Sequence, residues 1–309
     1  MKVFSTFSGI GGFDLALERC GQKIIGHSEI DKYADQIYSN HFNNKNYGDI
    51  TKIEANDLPQ FDLLCGGFPC QAFSIAGKRE GFGDERGTLF FEIIRIIREK
   101  QPRLLLLENV EGLLSHNQGN SFYTIISTLD ELGYDLQWQV LNSKNFGVPQ
   151  NRERVFIVGH LRGTSRPEIF PIGETGKKDT RNVGEDLSYY IDSNYHKGTN
   201  TLSKGRRQLI EKNKPFIFSK PHGFNKGGKR EYPNMRVSSI QNEFVNGVRR
   251  LTPKECERLQ GFPDLFTEKG IDQNGNDVFI SDSQRYKCLG NAVTVNVVEA
   301  ILKKLLQNK

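Results

Sequence analysis

The stretch Val3-Phe4-Ser5-Thr6-Phe7-Ser8-Gly9-Ile10-Gly11-Gly12-Phe13 decides how the chain is read. Its apolar run over residues 3–7 predicts a strand, and Ser8 with the glycines at 9, 11 and 12 predicts a turn. Residues 13–20 predict a helix with Leu15, Ala16 and Leu17 turned inward, stopped by Gly21. Strand, glycine turn and helix form the opening unit of a parallel α/β sheet, where glycines let the backbone approach a ligand closely. The glycine spacing is not the strict dinucleotide fingerprint. A nucleoside cofactor and a simple tight turn both remain open at this point.

The same alternation continues outward. Strands are expected at 23–27, 63–65, 104–107, 137–141 and 154–159, and helices at 32–42, 89–100 and 122–132. The four leucines at 104–107 suit a strand buried on both faces. Repeated strand–helix units imply an α/β fold with a mostly parallel, doubly wound sheet. Beyond His160 the pattern dissolves, and residues 163–250 are rich in Gly, Pro, Asn and Lys. Periodicity returns in a short helix over 252–260, opened by Thr252-Pro253-Lys254-Glu255, and in an amphipathic helix over 294–306. The expected division is 1–165 with 285–309 as one discontinuous domain and 166–284 as a second, irregular one.

Composition bounds the function. With 309 residues, 36% apolar and 26% charged, the chain is globular. No run approaches the ~18 apolar residues of a membrane span, and the first residues lack the apolar core of a secretory signal. Five cysteines without Cys-x-x-Cys spacing argue against a disulfide framework or a zinc site and for a reducing cytoplasm. The net charge is +5, yet residues 197–236 hold eleven Lys/Arg and two Glu, so that window carries +9 and the rest −4. A basic segment on a neutral-to-acidic body is the expected footprint of a polyanion-binding insert, with a solvated loop-rich face as the alternative, and Phe216, Phe218, Phe224 and Tyr232 are interleaved in it.

Four segments carry chemistry. Cys70, in Gly66-Gly67-Phe68-Pro69-Cys70-Gln71, follows the carboxyl end of a strand, the edge where open α/β sheets bind ligands. Its Gly, Pro and polar neighbours argue for a loop thiol, whereas Cys20 and Cys65 sit inside apolar elements. Glu108 ends the four-leucine strand, where a carboxylate is costly without a partner. Partial burial would raise its pKa and let it donate a proton near neutral pH; capping the next segment is the structural alternative. Arg152 and Arg154 alternate on an entering strand and point to one face. Glu29 follows the second strand, where an acid can bind ribose hydroxyls.

In this order the segments resemble the C5-cytosine DNA methyltransferase family. The resemblance rests on Phe7–Gly12, Glu29-Ile30-Asp31, Gly48-Asp49-Ile50, Gly67-Phe68-Pro69-Cys70-Gln71, Gly87-Thr88-Leu89-Phe90, Glu108-Asn109-Val110, Gln150–Arg154, residues 250–256 with Gly261-Phe262-Pro263, and Gly290-Asn291-Ala292-Val293. It implies a doubly wound, Rossmann-like S-adenosylmethionine-dependent methyltransferase domain with a small target-recognition domain. It implies that Cys70 attacks C6 of a cytosine flipped out of duplex DNA. Glu108 would contact the N3/N4 edge, Arg152 and Arg154 would orient the site, with Arg154 on O2, and Asn109 would support the catalytic loop. The cofactor, S-adenosylmethionine, would meet Phe7, Gly9, Gly11, Gly12, Glu29, Ile30, Asp49, Ile50, Pro69, Leu89, Asn291 and Val293. Residues 71–86 would close over the base. Gln71 and Ser74 there, and Lys226, Lys229 and Arg230 in the basic segment, would contact double-stranded DNA. Ala292 stands where relatives often carry Ser. A monomer without metal, with a cognate restriction endonuclease as partner, completes the expectation. A tRNA cytosine-5 methyltransferase, a catalytically silent DNA-binding protein and a nicotinamide-dependent oxidoreductase are the rival readings.

Overall fold

The computed structural model describes residues 1–69, 89–165, 167–173 and 248–307, with short strands at 188–189, 209–211 and 214–216. The chain opens with β1 (Lys2–Thr6), α1 (Gly12–Arg19), β2 (Lys23–Ser28), α2 (Lys32–His41) and β3 (Leu63–Gly67). It continues through α3 (Leu89–Lys100), β4 (Leu104–Val110), α4 (Asn120–Glu131), β5 (Tyr134–Asn142), β6 (Gln150–Asn151) and β7 (Glu153–Leu161). Short strands β8 (Ser188–Tyr189), β9 (Leu209–Glu211), β10 (Lys214–Phe216) and β11 (Val248–Arg250) follow. The last elements are α5 (Pro253–Leu259), β12 (Lys269–Ile271), β13 (Asp277–Phe279), α6 (Asp282–Asn291) and α7 (Val295–Gln307).

Six strands form the main sheet in the order β2-β1-β3-β4-β7-β5. The pairs β1–β2, β1–β3 and β3–β4 are parallel, while β7 runs antiparallel to both β4 and β5. The leucine run shows why the sheet is buried on both faces. Leu104 and Leu106 enter one core with Phe13 and Leu17 of α1, Ile37 of α2 and Val298 of α7. Leu105 and Leu107 enter a second core with Ile93 and Ile97 of α3 and Ile125 of α4. The period of two along a strand therefore divides one apolar run between two helical layers.

The chain order reverses between β1 and β3, since β2 lies beyond β1 and β4 beyond β3. Such a switch point leaves a crevice at the carboxyl ends of the strands. The glycine loop leaves β1 there and Phe68-Pro69 leaves β3 there.

One boundary differs from the sequence expectation. Residues 251–284, assigned there to the second domain, pack into the first: Leu251, Cys256, Leu259, Phe262, Phe266 and Ile280 are core members beside Phe13 and Ile37. Their amphipathic signal was short and broken, but a buried carboxylate organises them. Glu257 accepts from the Leu265 and Thr267 amides at 2.7 and 2.9 Å, from the Thr267 hydroxyl, and from Arg285 at 3.1 Å. The α5 capping box forms as expected, with Thr252 and Glu255 exchanging bonds. The hairpin β12–β13 and helix α6 went unread, because α6 is polar over most of its turns. Helix α7 returns to pack beside α1, where Arg19 meets Glu299 at 3.6 Å.

Candidate active site

The cofactor side is built around the first turn. Gly11 holds the left-handed conformation at the head of α1 (φ 86°), and a Cβ on it would lie 2.3 Å from the Phe42 ring. A Cβ on Gly12 would lie 2.8 Å from Val293 Cγ1, so the glycine loop and the segment before α7 are in contact. Both glycines therefore serve packing as well as ligand approach. Gly9 differs, because a Cβ there would meet nothing within 4 Å. Phe7 keeps φ at 50°, a left-handed value rare for a side chain this large.

Glu29 directly follows β2. Its carboxylate accepts from the Gly9 amide at 2.8 Å, the Ile30 amide at 2.8 Å and the Asp31 amide at 2.7 Å. It thus ties the glycine loop to the head of α2 before any ligand is considered. Ile30 beside it is 74% exposed. Asp31 caps α2 and pairs with Lys287 of α6 at 2.5 Å. Burial alone would raise the Asp31 carboxyl, but Lys287 and the α2 amides outweigh it and hold it below the usual range.

Asp49 is turned to its own short helix: its carboxylate accepts from the Thr51 hydroxyl and amide, which lower its pKa. Ile50 is buried in the second core, so its backbone is the part left to meet a ligand. Asn291 is exposed, Val293 is buried, and Leu89 and Pro69 stand at the two ends of the undescribed stretch 70–88.

These residues fit a cofactor with a nucleoside half. The apolar Phe7 and Ile30 suit a purine, the Glu29 carboxylate suits ribose hydroxyls, and the Ser8 hydroxyl is buried without a partner among the described residues. Sequence reading passed over Ser8, although it stands inside the glycine turn.

The catalytic side lies two strands away on the same edge. Glu108 is buried at the end of β4, opposite Gly67 of β3 and Phe156 of β7. A Cβ on Gly67 would lie 2.7 Å from Glu108 Oε2, so that glycine makes room for the carboxylate. Arg154 Nε reaches Glu108 Oε1 at 3.1 Å. Burial pushes the Glu108 carboxyl above its usual range, and Arg154 and then Arg152 pull it partly back. Glu108 caps nothing, since the following short helix has Val110 at its head.

Asn109 Nδ2 donates to the Phe68 carbonyl at 2.9 Å, fixing the chain just before Pro69-Cys70. Arg152 is aimed elsewhere than Arg154. It is buried and donates to the Gly290 and Ala292 carbonyls at 3.2 and 2.8 Å, holding the α6–α7 junction.

Cys70, Gln71, Ser74, Lys226, Lys229 and Arg230 lie outside the described residues. The four described cysteines are poor nucleophiles. Burial pushes Cys65 and Cys256 well above the usual thiol range, Cys288 up to about 12, and Cys20 upward as well. Among the described residues no cluster of His, Cys, Asp and Glu could hold a metal ion, and no helix is long and apolar enough to cross a membrane.

Comparison with known proteins agrees with this geometry. The family profile described as C-5 cytosine-specific DNA methylase matches residues 1–307. The type II methyltransferase M1.ScrFI of Lactococcus lactis subsp. cremoris is 40% identical over 315 residues, covering 99% of this chain and 78% of the relative. The type II methyltransferase M.NgoBI of Neisseria gonorrhoeae is 41% identical, covering 98% of this chain and 92% of the relative. In fold, the Entamoeba histolytica methyltransferase EhMeth superposes with a TM-score of 0.66 at 18% identity, over 99% of this chain and 98% of that one.

Proposed function

This chain belongs to the C-5 cytosine-specific DNA methylase family and is a DNA cytosine-5 methyltransferase of the type II modification kind, and from that premise we propose how its residues carry the reaction. The substrate is a cytosine flipped out of a short specific duplex sequence. One observation carries the reading: Glu108, buried and paired with Arg154, sits beside the strand end that leads through the Asn109-held Phe68 carbonyl to Pro69 and Cys70.

Cytosine C5 is a poor nucleophile. The Cys70 thiolate adds to C6, and the C5–C6 electron pair moves to C5 as the ring takes a proton at N3. Glu108, whose carboxyl burial pushes above its usual range, is the group that supplies that proton or holds it on N3. Arg154 keeps Glu108 in place and contacts O2, and Asn109 fixes the chain that presents Cys70. Bound S-adenosylmethionine supplies an electrophilic methyl group. Loss of the C5 proton, departure of the Cys70 thiolate and return of the N3 proton to Glu108 restore the neutral aromatic ring. Phe7, Ser8, Gly9, Glu29, Ile30, Asp49, Pro69, Leu89, Asn291 and Val293 hold the cofactor, with the Ile50 backbone and the close-packed Gly11 and Gly12 shaping its cradle. Arg152 acts here by holding the Gly290–Ala292 turn, which presents Asn291 and Val293 to that pocket.

The catalytic domain is residues 1–165 with about 250–307, on the packing of residues 251–284. The basic segment between them grips DNA, with Lys226, Lys229 and Arg230 on phosphates and Gln71 and Ser74 near the flipped base. The enzyme works as a cytoplasmic monomer opposite a cognate restriction endonuclease. The names of the type II relatives support the modification role.

Duplex DNA carrying 5-fluorocytosine at the target, with cofactor, tests the mechanism, because fluorine at C5 cannot leave as the proton does. Peptide mapping is expected to find a covalent adduct on Cys70; an adduct on another cysteine, or none, would overturn it. Replacing Lys226, Lys229 and Arg230 together by Ala should weaken DNA binding and flatten its slope against log salt by about 2–3. An unchanged slope would move the phosphate contacts elsewhere.

A further inference from the structure

Between the cofactor acid Glu29 and the Gly48-Asp49-Ile50 segment stands Asn46, a residue outside every motif that marked the chain as a methyltransferase. Its side-chain amide is saturated. Oδ1 accepts from the Glu29 amide at 3.2 Å and the Gly48 amide at 2.8 Å. Nδ2 donates to the Glu29 carbonyl at 3.0 Å and to Asp35 Oδ1 at 2.8 Å. A side-chain amide has two acceptor sites and two donor sites, and all four are used.

The partners fall into three groups that do not otherwise adjoin in sequence. Glu29 follows β2 and holds the glycine loop through Gly9. Gly48 leads to Asp49 and Ile50, and its carbonyl is held from the other side by the Ser28 hydroxyl at 2.6 Å. Asp35 belongs to α2, where its Oδ1 also faces His27 Nε2 at 3.4 Å. The His27 ring is stacked on Tyr38 with centroids 3.8 Å apart, so this anchor rests on the core.

We propose that Asn46 is a positioning residue for the nucleoside half of the cofactor. By bonding to the main chain of both Glu29 and Gly48, it sets the separation between the acid that takes the ribose and the segment that meets the adenine edge. The proposal rests on the assignment of that site to S-adenosylmethionine. The arrangement makes the pocket rigid before the ligand arrives, so less ordering is left for binding to offset. The orientation of the amide is also fixed. A carboxylate in its place would set an oxygen against the Glu29 carbonyl and the Asp35 carboxylate.

The test uses full-length wild type, Asn46→Asp and Asn46→Ser, with Asp35→Ala as the milder variant should the Asn46 changes fail to fold. Calorimetry with S-adenosylhomocysteine reads cofactor-site affinity, anisotropy reads DNA affinity, and ligand-free melting reads stability. The expected result is a dissociation constant for S-adenosylhomocysteine raised about 10- to 100-fold in Asn46→Asp, less in Asn46→Ser and Asp35→Ala. DNA affinity stays unchanged, and kcat at saturating cofactor stays within about threefold of wild type while the cofactor KM rises. A variant that binds S-adenosylhomocysteine as wild type does would overturn the proposal and leave the site assignment standing. Cofactor affinity, DNA affinity and kcat falling together would show general loosening and overturn it too. Wild type that fails to bind S-adenosylhomocysteine would overturn the site assignment and the proposal with it.

Discussion

Two carboxylates, Glu29 and Glu108, stand on the same edge of the sheet and are held in opposite ways. Glu29 is clasped by the amides of Gly9, Ile30 and Asp31, which belong to the loops on either side of it. Glu108 is buried at the end of β4 and faces a guanidinium on β7, with a glycine on β3 making room for it. Three backbone amides converge on the Glu29 carboxylate, so its work is to hold a shape. Burial works against ionisation at Glu108, and Arg154 only partly opposes it, so this carboxyl is placed to exchange a proton. In the proposed function the cofactor half is thus built for rigidity and the catalytic half for proton exchange.

The comparison can be broken at either end. Glu108→Gln keeps the shape and removes the exchangeable proton. It should lower kcat by about 10²- to 10⁴-fold while leaving S-adenosylhomocysteine binding within a factor of about two. A matching loss of cofactor affinity would mean the two halves are not separable. Glu29→Gln reverses the pattern. One amide N–H would point at a backbone donor, and cofactor affinity measured by calorimetry should fall about 10- to 100-fold, with DNA affinity unchanged. Loss of kcat alone would contradict the assigned role.

The smallest effect sharpens the picture beneath the cofactor half. Asp14 of α1 is fully buried, accepts from Tyr38 and Ser5 at 2.9 Å each, and is pushed up by burial to about 6 from an ordinary 3.8. The folded protein therefore keeps a proton that the unfolded chain releases above pH ~4. Stability is expected to fall as pH rises from about 4 to 6 and to change no further from this group above that. The loss is on the order of 3 kcal/mol. Denaturant unfolding of wild type and Asp14→Asn at pH 4 and pH 7 checks it: the variant should gain on wild type at the higher pH. A difference independent of pH would contradict it.

Much of this was legible in the sequence because it rests on local pattern. The leucine run, the glycine turn and the Thr252 capping box each announce themselves within a few residues, and the elements formed within one to three residues of their expected ends. Glu108 was legible for a related reason, as a charge closing an apolar strand. The rest depends on chain segments that meet only after folding. Arg152 and Arg154 look equivalent two positions apart, yet one is taken by the carbonyls of Gly290 and Ala292 and the other by Glu108. The membership of residues 251–284 in the first core depends on Glu257 finding Arg285 and two amides, which no periodicity records. Asn46 is silent in sequence because its four partners come from three segments.

The central claim, cytosine methylation in a defined sequence through Cys70, is tested most directly by a base-resolution 5-methylcytosine map. The DNA would come from a host without cytosine methylation that expresses either the protein or its Cys70→Ala variant. The account predicts 5-methylcytosine at one position of one short recurring sequence with the wild-type protein, and none with the variant that still binds DNA. Methylation that persists in Cys70→Ala, or soluble wild-type protein that leaves the DNA unmethylated, would contradict it.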